Sequence, residues 1–294
     1  MVSMSDRGEV IAALTGTLLE GRDVNEVVLP DPDEVTFEIE IELAELRPVW
    51  QLARGLVDRL GRWPLAVGRF GHSVYDRFEY RGQDSGPAAI RRRASLLTIT
   101  DVLDVDTKNY AESRARDWSA LLERHLTKTR QRVGEAPSVE DVARAVHAGD
   151  EIALERLLLG YEDERRPLSE IEFDGYMAWG KPREGCKLTF LPTWRTEETL
   201  AYVSWFGSGQ TSPEHALCGL RSWNTRFGAE LVASWGTMLD FVVRRPPEDL
   251  DAAFALATEH AAIAPATMGL AGLTIRDHAR ALMHRREWQL HERP

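Results

Sequence analysis

The chain of 294 residues is 43% apolar, 8% aromatic and 28% charged, with 22 glycines and 14 prolines, a composition that excludes collagen-like and low-complexity chains. Its 36 basic against 47 acidic side chains leave a net charge of -11, which repels phosphate backbones and argues against sequence-independent nucleic-acid binding. No apolar run reaches the roughly 20 residues needed to cross a bilayer, so no membrane span is expected.

Residues 7 to 20 predict a helix carrying Val10, Ile11, Leu14, Leu18 and Leu19 on one face. After the Pro30-Asp-Pro-Asp break, Val35, Phe37, Ile39, Ile41 and Leu43 alternate with Thr36, Glu38, Glu40 and Glu42, the period-2 pattern of a strand with one buried face. Its other face is expected to carry the three glutamates into solvent. A helix over 44–60 follows, stopped by Gly61, and then a short strand from Trp63 to Val67. Residues 80–87 have loop chemistry, and Leu96 to Val105 suits a further strand or two short ones.

The middle of the chain turns helical. Tyr110, Arg114, Trp118, Leu121, Leu122, His125 and Leu126 trace one stripe of a helix over 107–132. Ser138 with Asp141 caps a second helix, with Val139, Val142, Ala143 and Val146 inward, and Gly149-Asp150 opens a third, bearing Ile152, Leu154, Leu157 and Leu158. This pair resembles the helical hairpin of one ankyrin-type unit, but no period of that length recurs, which excludes a solenoid.

Strands are expected again at 171–177, 187–191 and 200–205. Ser212-Pro213-Glu214 supplies an N-cap, a proline at the first helical position and an acid in the first turn, so a helix runs from 213 to 226 and stops at Gly228. Residues 229–235 and 238–243 make a hairpin about Gly236-Thr237. Pro246-Pro247 starts a helix to about 262, and Thr274 with Asp277 caps the last, to about 286. The fold class is α+β, with a mixed or antiparallel sheet and packed helices, divided into an N-terminal α+β region (1–106), a helical segment (107–167) and a C-terminal α+β domain (168–294). A short internal echo aligns Arg54, Arg59 and Gly61 with Arg221, Arg226 and Gly228, each followed by a strand.

The C-terminal third resembles the bacterial family catalogued as domain of unknown function 4253. The residues that carry the likeness are Leu191-Pro-Thr193, Ala201-Tyr202, Glu214-His215, Trp223, Arg226 to Val232, Arg245-Pro-Pro247, Ala255 to Ala257 and Trp288. The chain departs from the family pattern at Phe206 to Pro213, at Ala264-Pro-Ala266 and after Trp288. The resemblance implies a fold and no established activity. A bacterial origin agrees with the 32 arginines against only Lys108, Lys128, Lys181 and Lys187, a bias that GC-rich coding produces.

Candidate functional residues fall in three groups. The segment around Gly207, Ser208, Gly209 and Thr211 joins a strand to a helix, where free backbone N–H groups and the helix dipole can hold an anion, with His215 or Arg226 assisting. Trp179, Trp194, Trp205, Trp223 and Trp235 crowd one stretch; Trp223 belongs to the core by its helical spacing, and Trp205, beside the glycine turn, is the one expected at the surface. The acidic strand, Glu38, Glu40 and Glu42, offers a docking face for a basic protein such as a nuclease-type toxin.

Cys186 and Cys218 form no CxxC pair and are expected buried and reduced, and there is no HExxH or GxSxG. Gln83-Asp-Ser-Gly86 has the letters of a protease tetrad without its partners. His215, His260 and His278 each follow an acid, but neighbours in a helix do not face each other, so they are expected as surface or helix-end histidines. No metal and no cofactor is expected. The N-terminus brings charges where a secretory leader needs its apolar core, so a cytoplasmic location is expected. Together these features predict a non-enzymatic binding protein of the immunity or defence-accessory kind, docking a protein partner. The alternatives are an enzyme acting on a small anionic or nucleotide-like ligand at the 207–213 turn and a structural subunit of a larger assembly.

Overall fold

The computed structural model describes residues 5–29, 34–68, 86–103, 117–166, 185–203, 205, 212–269 and 273–292. Their contacts group the chain into two units, one of residues 1–99, 179–245 and 287–294 and one of residues 100–178 and 246–286. Among the described residues no helix is long and apolar enough to cross a membrane.

The first unit is built on a seven-stranded mixed sheet in the order β1-β2-β4-β3-β5-β6-β7. The strands are β1 (Asn25–Val28), β2 (Val35–Ile41), β3 (Trp63–Gly68), β4 (Cys186–Leu191), β5 (Glu230–Ser234), β6 (Met238–Val242) and β7 (Glu287–His291). All neighbours run antiparallel except β3 and β5. The fold class is thus α+β with a mixed sheet and packed helices, as the alternating and helical periods predict. Its helices are α1 (Arg7–Leu14), α2 (Leu46–Gly55), α3 (Val57–Leu60), α4 (Pro87–Ala94) and α8 (Pro213–Phe227), with a 3-10 segment at Thr196–Ala201. From α8, Trp223 meets Phe241 and Phe227 meets Trp288, both edge to face; Phe241 and Trp288 are opposite one another in the β6–β7 register, so this helix closes one face of the sheet.

The internal echo has a structural counterpart. Gly61 ends α3 at φ 66° and Gly228 ends α8 at φ 62°, the left-handed conformation that stops a helix. The strands that follow are the parallel pair, joined in the same phase. Ala66 and Val67 stand five and six residues past Gly61, Ala233 and Ser234 five and six past Gly228, and these are the register partners.

The second unit holds α5 (Trp118–Val133), α6 (Val139–Ala145), α7 (Glu151–Asp163), α9 (Leu250–Ile263) and α10 (Ile275–His284). Leu121, Leu122, Leu126, Val142, Val146, Leu154 and Leu158 form its apolar cluster. Ser138, Asp150, Asp249 and Thr274 cap four of the helices with side-chain oxygens, as expected for Ser138 and Thr274. The two hairpin helices form, but the ankyrin likeness is not confirmed: α7 packs on α5 and α10, and Val139 is exposed where an inward position was expected.

Several expectations are corrected. The first helix ends at Leu14, leaving Leu18 exposed. The expected strand at 96–105 is helical over its described part from Ile99 to Leu103. The expected strand at 200–205 is the end of the 3-10 segment and a turn, because Leu200, Ala201, Tyr202 and Val203 are all buried; a run hidden on every side carries no period to separate strand from helix. Strands β1 and β7 and helix α4 were not foreseen. The helix after Pro246-Pro247 starts only at Leu250, behind the Asp249 cap. The expected strand at 171–177 lies outside the described residues.

Candidate functional site

The acidic strand is not the solvated face expected. β2 lies between β1 and β4, so it is an inner strand, and Glu38 is buried at 3% exposure with the Lys187 Nζ from β4 donating to its Oε2 at 2.7 Å. Glu38 is opposite Thr189 and Glu40 opposite Lys187 in the register. Glu40 and Glu42 are exposed, and the Glu42 backbone N–H donates to Glu45, whose carboxylate holds Arg22 at 2.8 Å. The margin of the sheet is β1, which exposes Asn25, Glu26 and, at 63%, Val28.

Trp205 is also corrected. It is 2% exposed, beside the fully buried Tyr202 and Val203, and among the described residues the exposed tryptophan is Trp194, with the Arg195 guanidinium 5.6 Å from its ring. Trp223 is in the core as expected. Gly207, Ser208, Gly209 and Thr211 lie outside the described residues. Beyond them Ser212 caps α8 by accepting from the His215 N–H at 3.3 Å. His215 is half-buried in the first turn, whereas Arg226 is exposed in the last turn over the Phe227 ring. Eleven residues of helix put them about 16 Å apart, so they do not converge on one small ligand.

A polar node that sequence reasoning missed lies under the 3-10 segment. Arg91 of α4 bridges Glu34 at 2.8 Å and Glu198 at 3.4 Å and lies 5.2 Å from the Tyr202 ring centre. The Tyr202 hydroxyl is within reach of Glu34 Oε1 at 3.3 Å and the Pro192 carbonyl at 3.2 Å. Burial pushes this phenol far up, so it stays protonated and serves as a donor. Cys186 and Cys218 are buried free thiols as expected, and burial pushes Cys186 up to about 11.

The second unit buries an ionic layer. Glu162 of α7 accepts from Thr129 at 2.7 Å, Arg276 Nε at 2.9 Å, Arg132 Nη1 at 3.2 Å and Arg280 Nη1 at 2.6 Å. Burial opposes its charge, yet Arg276, Arg132 and Arg280 outweigh burial and hold its carboxyl below the usual range. Asp277 behaves alike: burial opposes ionisation, and Arg132 and Lys128 overcome it and hold the carboxyl far below the ordinary carboxylate range.

His125, Glu151 and Glu155 bring one ligand atom each within 4.8 Å of one another, a spacing that a metal ion accepts. The Arg276 Nη1, however, pairs with Glu155 and lies 3.0 Å from His125 Nδ1. The His125 Nε2 then donates to Glu151 Oε1 at 3.2 Å. A guanidinium already supplies the positive charge between these acceptors, so the donor set does not fit a further cation. His260 and His278 are fully buried rather than at the surface, and they meet at 2.8 Å between Nδ1 and Nε2. Burial pushes His278 down to about 3.

Family comparison adds a boundary to this geometry. Residues 187–291 match the model of the Domain of unknown function (DUF4253). No curated protein and no solved structure matches the chain. The DUF4253 match opens at Lys187 in β4 and closes at His291 in β7, so it takes in the Glu198 end of the Tyr202 node, all of α8 and the buried Arg276, Asp277 and Arg280. Their counter-ions are supplied from outside the matched segment: Glu38 for Lys187, Arg91 for Glu198, and Glu155 and Glu162 for Arg276.

Proposed function

We propose that the protein is a protein-binding module that receives a basic, extended segment of its partner on the outer edge of β1. The observation that carries this reading is that β1 ends the sheet among the described residues while exposing Val28 at 63%, two residues from the exposed Glu26. Glu26 belongs to β1 itself, Asp23 precedes it, Glu40 lies on β2 and Glu42 just beyond it, all exposed. Arg22, a basic group of this margin, is already engaged by Glu45. A strand edge presents backbone donors and acceptors that an added strand can pair, and alternate side chains of that strand set its specificity. Acids along the edge discourage self-association and favour a cationic partner.

The reading is tested with an extended peptide of alternating arginine and valine, with amide exchange followed residue by residue. Protection of the Asn25–Val28 amides on binding, lost with rising salt, is the expected result. Glu26→Lys combined with Glu40→Lys weakens binding by about tenfold or more, with stability unchanged to within about 0.5 kcal/mol because both side chains are exposed. Protection confined to other strands, or binding indifferent to the double reversal, rejects the reading.

A further inference from the structure

We propose that a cleft lined by α4, the 3-10 segment and α8 in the sheet unit binds a small oxyanion, with Arg221 as the anchoring charge. The cleft has about 350 Å³ of open space, mouth included, and is lined by Arg91 and Ala94 of α4 and Ser95 at its end, Arg195, Glu197 and Glu198 at the 3-10 segment, and Leu217 and Arg221 of α8. Three arginines meet there, and their states differ. Arg91 is engaged by Glu34 and Glu198. Arg195 is engaged by Glu197, through Nε at 2.7 Å and Nη2 at 2.6 Å.

Arg221 has no carboxylate partner among the described residues. Its Nη2 donates to the carbonyls of Ala94 at 3.2 Å and Leu97 at 2.7 Å and approaches the Cys218 sulfur at 3.4 Å. Those contacts fix one nitrogen on the chain end of α4 and leave the other guanidinium donors without a protein partner among the described residues. Only half-buried, the side chain keeps access to the cleft.

The echo supplies a control within the same molecule. Arg54 aligns with Arg221 in the equivalent helix–glycine–strand unit, and there Glu230 grips the guanidinium through Nε at 3.0 Å and Nη2 at 2.7 Å while the Trp63 ring lies under it at 4.7 Å. An arginine fork is built to take two oxygens of one acceptor. At Arg54 the protein provides that acceptor, and at Arg221 it provides a cleft. Glu34, Glu197 and Glu198 balance the three guanidinium charges but grip only Arg91 and Arg195, so the attraction for a ligand comes from the Arg221 fork itself. Space and charge together fit a phosphate-sized group, whether free or at the end of a small ester.

The test is titration of the intact protein with inorganic phosphate and, separately, with glycerol phosphate, followed by backbone amide shifts. Saturable shifts at Ser95, Glu198, Leu217 and Arg221 are expected, and Arg221→Gln weakens binding at least tenfold while Arg226→Gln, on the same helix but exposed, leaves it unchanged. Response to the ester alone keeps the site and assigns it to a phosphorylated metabolite. Should Arg221→Gln unfold, Arg221→Lys retains a charge without the fork and is expected to weaken binding several-fold. Shifts that map elsewhere, no saturation with either probe, or equal losses in the Arg221 and Arg226 variants overturn the proposal.

Discussion

In the sheet unit the bulkiest side chains hidden from solvent are Trp205, Trp223, Trp288, Tyr202, Phe37 and Phe190, whereas in the helical unit they are Arg276 and Arg280. The first unit gains its stability chiefly from apolar area, sharpened by ring pairs such as Trp223–Phe241 at 6.1 Å and Phe227–Trp288 at 5.7 Å. The second has an apolar cluster between α5, α6 and α7, and it also buries a layer in which each acid is held by one or more bases. Apolar contacts are non-directional and degrade gradually; a buried ion deprived of its partner does not. The two units should therefore fail under different insults.

The largest expected effect separates them directly. Arg276→Ala takes the guanidinium from Glu155 at 1% side-chain exposure, leaving it the Ile275 N–H and the neighbouring His125, and should cost about 3–5 kcal/mol. Replacing Arg276 by Met together with Glu155 by Leu removes both charges and should cost less than the single change. Trp223→Ala should cost a similar 3–5 kcal/mol through the cavity it leaves, with no such rescue. Urea unfolding can assign each loss to its unit, because Trp118 is the only tryptophan between 100 and 178 or 246 and 286 and fluorescence reports mainly on the sheet.

Acid gives the next contrast. His278 has its folded pKa pushed down to about 3 by burial, against roughly 6.5 when unfolded. Between those values the unfolded chain binds the extra proton, so stability falls as pH falls from about 6.5 to 3, by up to roughly 1.4 kcal/mol per unit. Glu162 and Asp277, held ionised below the usual range, extend the loss: their contribution is present above their unfolded pKa and disappears as pH drops through the depressed folded value. Acid titration should therefore melt the helical unit first, and His278→Gln should flatten the slope above pH 4. A slope unchanged in that variant would assign the acid loss to other groups.

Local pattern announced much of the fold and little of its assembly. The alternation of Val35 to Ile41, the Ser212-Pro213 start and the Gly61 and Gly228 stops are decided within a few residues, and the structure has them. β1 and β7 are runs of only four and five residues, too short for a period of their own, and pairing with β2 and β6 makes them strands. The site was harder still. Glu38 has the spacing of an outward residue, and only the arrival of Lys187, 149 positions away, buries it. Arg276 sits in a helix whose sequence is rich in charge, and no pattern in that helix foretells that Glu155 and Glu162 will meet it. His260 and His278 each follow an acid in the sequence, whereas in the fold they meet one another across 18 positions. The echo of Arg54 in Arg221 was legible as letters; its meaning came from comparing the acceptors each arginine finds.

The smallest expected effect compares the helix stops of the two units. Gly134 ends α5 at φ 85° and a Cβ added there meets nothing within 4 Å, so Gly134→Ala should cost only the left-handed conformation, about 1 kcal/mol. Gly228 ends α8 at φ 62°, and an added Cβ meets the Arg244 Cβ at 3.0 Å and its Cγ and Cδ at 3.2 Å. The far end of Arg244 can swing, but its Cβ is fixed to the strand exit, and its guanidinium is tied to Glu230 at 2.5 Å. Gly228→Ala should therefore add a packing cost of about 1 kcal/mol or more to the conformational one. Adding Arg244→Gly to Gly228→Ala removes that clash and should recover the packing part alone, after correction for Arg244→Gly by itself. Equal costs for the two alanine variants would mean that the α8 stop yields to the added methyl group and that the approach of Arg244 contributes nothing.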